Sequence, residues 1–118
     1  MKKTEFIFGM KEIGLLVLLI LIFLATRLVQ LTLIPIFTDE AIYLLWAQIA
    51  LSDPRWRFIS LIDGKQPLLI WLMLPMVKYV ADPLVAGRLV SIICGLVAMT
   101  GFSVFSYYLT KSRTGLFI

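Results

Sequence analysis

The apolar residues of this chain are gathered into three long runs separated by short polar segments. The first run predicts a membrane helix over residues 13–35, interrupted by Arg27, because a hydrocarbon core of about 30 Å needs ~20 helical residues. The third run predicts another over residues 84–109. The second run, residues 67–81, reaches only about 22 Å as a helix. It therefore either spans, with Lys78 extending its ammonium group to the interface, or forms a re-entrant element.

The first run also has the position of a signal sequence. No small-x-small cleavage site follows its apolar part, which reads Phe-Leu-Ala-Thr-Arg-Leu over residues 23–28. This favours a retained signal anchor over a cleaved signal peptide.

Residues 36–66, between the first two runs, predict an external loop that contains a helix. The polar residues 38–40 precede the apolar stretch 41–51, a pattern typical of a short helix that lies on the membrane surface. Thr38 is the expected N-cap. In that register a capping box is absent, because Ala41 stands where Glu or Gln would be needed.

The composition decides the class of protein. The 118 residues are 61% hydrophobic and 15% charged, against ~45–50% and about 25% in soluble domains. This excludes a water-soluble globular domain, and disorder, which requires low hydrophobicity and high charge. We predict an all-α integral membrane protein with about three transmembrane helices and one surface helix, forming a single membrane domain over residues 1–118.

The net charge of +4 comes from basic residues that stand singly around the apolar runs. Such spacing is typical of membrane-flanking charges and argues against nucleic-acid binding. Basic residues divide five against five between the two sides of the membrane, so their count does not orient the chain. Because the first helix usually dominates orientation, we expect a multi-pass protein of the plasma (inner) membrane with a cytoplasmic amino terminus. The lone cysteine, Cys94, has no partner for an internal disulfide.

The external loop holds the candidate chemistry. Asp39 and Glu40 form a carboxylate pair that can accept a proton or hold a divalent cation. Arg55, Arg57 and Lys65 can neutralise a lipid-linked phosphate. Acidic residues also suit the first turn of any helix, and arginines beside Trp suit any membrane interface. The residues alone leave both interpretations open.

Four motifs, in this order, resemble the GT-C class of membrane glycosyltransferases, in particular protein O-mannosyltransferases and lipid A aminoarabinose transferase-like proteins. They are Arg27 in the first helix, Asp39-Glu40 followed by Tyr43, the stretch Lys-Gln-Pro-Leu-Leu-Ile-Trp over residues 65–71, and Gly-Arg-Leu over residues 87–89. The resemblance covers the chain from residue 15 to about residue 108.

The resemblance implies an enzyme that takes a sugar from a polyprenyl-phosphate carrier and transfers it, with inversion, to an acceptor on the outer face. The essential acid of the family corresponds to Asp39, its neighbour to Glu40, and the lysine near the donor phosphate to Lys65. Two positions depart from the family pattern, Gly64 where some relatives have Glu and Gln66 where they often have Pro. Arg55 and Arg57 are phosphate candidates by charge alone.

Members of that family are several times longer, so the resemblance implies an amino-terminal portion that is inactive by itself. The alternative is a small multi-span accessory protein or a carrier-lipid flippase subunit. A transporter fragment ranks last, because only Arg27 and Arg88 place charge within the predicted spans.

Overall fold

A computed structural model describes residues 10–111 of the chain. Within that range 80% of the residues are helical and none is in a strand, which confirms the predicted all-helical class. The elements are α1 (Met10–Leu28), α2 (Thr38–Ser52), a first 3-10 helix (Pro54–Trp56), a second 3-10 helix (Ile59–Asp63), α3 (Leu68–Tyr79) and α4 (Pro83–Thr110). The predicted cytoplasmic amino terminus, residues 1–9, lies outside the described residues.

One of the described helices, α4, is long and apolar enough to cross a membrane. Its 28 residues correspond to about 42 Å of helix. Only 17% of its most apolar stretch is buried within the chain, unlike the core helix of a soluble protein. The 19 residues of α1 include Lys11, Glu12 and Arg27, and the 12 residues of α3 reach about 18 Å. Three spans therefore stay a prediction.

The first helix is shorter than predicted. It ends at Leu28 rather than residue 35, and residues 29–33 form turns. Gln30 adopts the left-handed conformation, with φ 59°, and this conformation cannot continue a right-handed helix. The Leu33 N–H then donates to the Gln30 carbonyl at 2.9 Å. The predicted loop, in turn, is helical over most of its length.

The start of α2 also differs from the predicted register by one residue. Phe37, and not Thr38, is the N-cap, so Glu40 becomes the third residue of the helix. The Glu40 Oε2 atom accepts the Phe37 N–H at 3.5 Å. This is half of a capping box, an interaction that the predicted register had excluded.

The chain divides into two compact units, residues Gln30–Gly95 and the remainder. In the first unit, α2, α3 and the start of α4 surround an apolar core composed of Leu44, Ala47, Ala50, Ile70, Met73 and Val90. Gly87 lets these helices approach closely, because an added Cβ would lie 2.8 Å from Leu44 Cδ2 and 3.6 Å from Met73 Cε. In the other unit, α1 has no buried residue.

Candidate functional site

Within residues 30–95, one lysine lies between two carboxylates and two aromatic rings. Lys65 Nζ lies 3.3 Å from Asp39 Oδ1 and 3.3 Å from Asp63 Oδ2. The same ammonium group lies over the ring of Tyr43, at 5.0 Å, and near that of Trp46, at 5.7 Å. We call these five residues the Lys65 cluster.

Helical periodicity and one left-handed turn assemble this cluster. Asp39, Tyr43 and Trp46 are spaced four and three residues apart, so they share one face of α2. The two rings meet edge to face with centroids 5.9 Å apart. Gly64 ends the second 3-10 helix with φ 67°, a conformation that favours glycine. This turn places Lys65 against the face of α2 that carries Asp39, Tyr43 and Trp46.

The electrostatics of the cluster keep the lysine charged. The hydrogen bond from Lys65 to Asp39 is the main cause that raises the lysine pKa above its ordinary value; the bond to Asp63 adds to it, and desolvation opposes both. The carboxylate side chains of Asp39 and Asp63 are 60% and 56% exposed. The cluster therefore offers a permanent cation and two accessible carboxylates to a ligand from solvent.

Glu40 faces a different partner from its neighbour Asp39. Its Oε1 atom accepts from Arg88 Nε at 2.8 Å and its Oε2 atom from Arg88 Nη2 at 2.9 Å. Nη1 also donates to the Leu31 carbonyl, and Nη2 to the Ile34 carbonyl. The hydrogen bond to Arg88 is the largest cause that lowers the Glu40 pKa below its ordinary value, against desolvation. The structure thus places Glu40 outside the Lys65 cluster.

The two arginines of the loop do not join the cluster either. Arg55 Nε lies 3.5 Å from Asp53 Oδ1, and its side chain is 91% exposed. Arg57 contributes its backbone, because its carbonyl accepts the indole N–H of Trp71 at 2.7 Å. The Trp71 ring also meets Phe58 edge to face. Trp71 is the last residue of the motif over residues 65–71, and its contacts with Arg57 and Phe58 connect the loop to α3.

Sequence reasoning missed two contributors to these sites. Asp63 precedes Gly64 and was interpretable only as part of a turn, and its carboxylate becomes a second partner of Lys65. Arg88 stood in a motif without an assigned partner, and it pairs with a residue 48 positions away. Neither contact leaves a periodic signal in the sequence.

Metal binding has no geometric support in the part of the chain that is described. No three His, Cys, Asp or Glu residues gather there into a group that could hold an ion. The proposed metal ligands Asp39 and Glu40 bind different cationic side chains, Lys65 and Arg88.

The Lys65 cluster can nevertheless carry several chemical tasks. A lysine ammonium attracts phosphate as a point charge, and an exposed carboxylate beside it can accept a proton. The aromatic rings offer an apolar surface next to both. Comparisons with known proteins add no family assignment: no family model, curated protein or solved structure matches this chain.

Proposed function

We propose that the chain forms the first-loop region of a GT-C-like membrane glycosyltransferase. Such an enzyme would transfer a sugar from a polyprenyl-phosphate carrier to an acceptor on the non-cytoplasmic face. The observation that carries the proposal is the 3.3 Å contact between Lys65 Nζ and Asp39 Oδ1. It joins, across 26 positions, the two residues to which the motif resemblance assigns phosphate binding and acid–base chemistry.

Membrane insertion is the second part of the proposal. The exposed apolar surface of α4 and the absence of buried residues along α1 support it, because soluble monomers rarely expose large contiguous apolar patches. We assign one span each to α1, α3 and α4, with residues 36–66 on the non-cytoplasmic face. This arrangement puts the Lys65 cluster where a lipid-linked phosphate enters from the bilayer surface.

The reaction that fits the cluster is an inverting displacement at the anomeric carbon. An acceptor hydroxyl gives its proton to the Asp39 carboxylate and attacks the sugar from the face opposite the carrier. A new C–O bond forms as the bond to the phosphate oxygen breaks, and the electron pair departs on the carrier phosphate. Lys65 neutralises the charge that develops there. Its ammonium group exchanges Asp39 and Asp63 for phosphate oxygens when the donor binds.

Asp39→Asn tests the chemical role. The protein is expressed from its complete gene in its native membrane, and transfer from a radiolabelled polyprenyl-phosphate sugar is measured. We expect loss of transfer by about 10²–10⁴-fold, with normal abundance and membrane insertion. The matched control is Asp53→Asn, a carboxylate that pairs with exposed Arg55 outside the cluster. Near-normal turnover in Asp39→Asn would refute the assignment.

Lys65→Ala tests the phosphate role separately. We expect a raised apparent KM for the lipid-linked donor, because the cation nearest the proposed phosphate site is lost. An unchanged donor KM contradicts this role. If the unaltered protein transfers no sugar but moves the carrier lipid across vesicles, the flippase alternative gains support instead.

A further inference from the structure

The guanidinium group of Arg88 is the most heavily bonded side chain of residues 30–95. It makes two hydrogen bonds to Glu40, at 2.8 and 2.9 Å, and one to the Ile34 carbonyl at 2.9 Å. A fourth reaches the carbonyl of Leu31. Its side chain is 14% exposed. One residue of α4 thus holds both the turn after α1 and the first turn of α2.

This geometry requires arginine rather than any cation. The fork of Nε and Nη2 matches the two carboxylate oxygens of Glu40, whereas a lysine ammonium is a single point charge. The bonded carbonyls belong to residues outside any helix. The neighbouring Gly87 lacks a side chain and brings α4 against Leu44 of α2.

Fixing Glu40 also fixes the residue before it. Glu40 accepts the Phe37 N–H as well. The start of α2 is therefore fixed by a bond to its own N-cap residue and by the bonds from Arg88 of α4. Consecutive helical residues point about 100° apart. With Glu40 directed toward Arg88, the Asp39 carboxylate is directed toward Lys65.

We infer that Arg88, acting through Glu40, is a positioning residue that fixes the direction of the Asp39 carboxylate, which contacts Lys65 before the donor binds and takes the acceptor proton during sugar transfer. The effect of Arg88 on sugar transfer rests on the proposed function. Its effect on the contact between Asp39 and Lys65 does not. Neither Arg88 nor Glu40 belongs to the Lys65 cluster, so both act at a distance from the proposed reaction.

The test measures the Lys65 contact directly. The protein in native membranes is treated with an amine-reactive ester, and modification of each lysine is read by mass spectrometry. Arg88→Lys should increase modification of Lys65 several-fold, because an ammonium group released from Asp39 loses its proton more readily. Lys78 should not change. Glu40→Gln, which leaves the carbonyl contacts of Arg88 in place, should have the same effect.

Arg27→Lys is the matched control, because the Arg27 guanidinium group lies over the Phe23 ring of its own helix, and its Lys65 modification should equal that of the wild type. Unchanged Lys65 modification in both Arg88→Lys and Glu40→Gln overturns the inference. A parallel increase at Lys78 also overturns it, because that result indicates general loosening.

Catalysis supplies an independent measurement. We expect Arg88→Lys to lower kcat by about 10²-fold, as small misplacements of catalytic groups do, with a smaller change in donor KM. Wild-type kcat in Arg88→Lys, in a protein that Asp39→Asn inactivates, overturns the catalytic consequence and leaves the proposed function intact. Full activity of Asp39→Asn refutes the proposed function, and Lys65 modification still decides the geometric inference.

Discussion

Consecutive carboxylates at the start of α2 have contrasting surroundings. The Asp39 side chain is 60% exposed and pairs with a lysine, and that of Glu40 is 25% exposed and pairs with an arginine through both oxygens. Exposed ion pairs contribute little to stability, whereas breaking a partly buried bidentate pair leaves a desolvated charge. Glu40 therefore suits a structural role, whereas the Asp39 carboxylate remains accessible to a substrate.

The Glu40–Arg88 pair should make stability depend on pH. The Glu40 pKa is lower in the folded chain than its ordinary value, so the pair stabilises the fold above the unfolded pKa of about 4.3. That stabilisation is lost as the pH falls through the lower, folded pKa. The difference in thermal unfolding midpoint between wild type and Glu40→Gln should be largest near neutral pH and shrink in acid. A difference independent of pH would contradict this.

At the site, the spacing of residues along the chain predicts which side chains share one helix face. It predicts few of the contacts between different elements. The shared face of Asp39, Tyr43 and Trp46 follows from the 3.6-residue period, and the structure confirms it. The contacts of Lys65 with Asp39 and of Arg88 with Glu40 join residues 26 and 48 positions apart. Such pairs depend on chain folding, which no local pattern encodes.

Among the elements, α2 and α4 follow the predicted bounds closely and α1 does not. Residues 28–34 read Leu-Val-Gln-Leu-Thr-Leu-Ile, with no glycine or proline to mark a helix end. The helix ends there through the left-handed Gln30, and carbonyls of the following turn bond to Arg88. A hydropathy pattern does not indicate a helix end that a tertiary contact stabilises. It does not indicate the 3-10 helices of the predicted loop either.

The packing of α4 against α2 should depend on Gly87. In Gly87→Ala the new Cβ would lie 2.8 Å from Cδ2 of Leu44, a core residue that is 4% exposed. Because Leu44 is packed in the core, its terminal methyl group has little room to move, and we expect the overpacking cost of about 1–3 kcal/mol to outweigh the gain of roughly 0.5–1 kcal/mol from Ala in a helix. We expect a lower thermal unfolding midpoint.

Gly101→Ala is the matched control for this prediction. It lies in the same helix, and a Cβ there meets nothing within 4 Å, so only the helix-propensity gain remains and stability should rise slightly. Adding Leu44→Ala to Gly87→Ala should remove the clash, and the two changes should then be less than additive. Equal stability of both glycine variants would contradict the packing argument.

Across the whole molecule, apolar side chains remain exposed in both compact units. Leu21 in α1 is 57% exposed and Val97 in α4 is 67% exposed, and within residues 30–95 Ile62 is 79% exposed. The charged side chains Asp39, Lys65 and Arg88 all belong to residues 30–95. Exposed apolar side chains in both units suit helices that meet lipid, and the polar contacts of residues 30–95 suit a loop that meets the interface.

Orientation in the membrane is the whole-molecule property on which the proposed function depends. In a Cys94→Ala background, a single cysteine is placed at Arg55, whose side chain is 91% exposed, or at Ala81, an exposed residue between α3 and α4. A membrane-impermeant maleimide applied to intact cells should label Arg55→Cys, because residues 36–66 are assigned to the outer face. Ala81→Cys should react only after the membrane is permeabilised.

Labelling at these two positions also distinguishes the other possible membrane topologies. Labelling of both cysteines in intact cells indicates that α3, which reaches only about 18 Å, re-enters the bilayer without crossing it. Protection of Arg55→Cys until permeabilisation places Asp39 and Lys65 in the cytoplasm. An acceptor on the outer face is then out of reach, because the 3.3 Å contact that carries the proposal lies on the opposite side of the membrane.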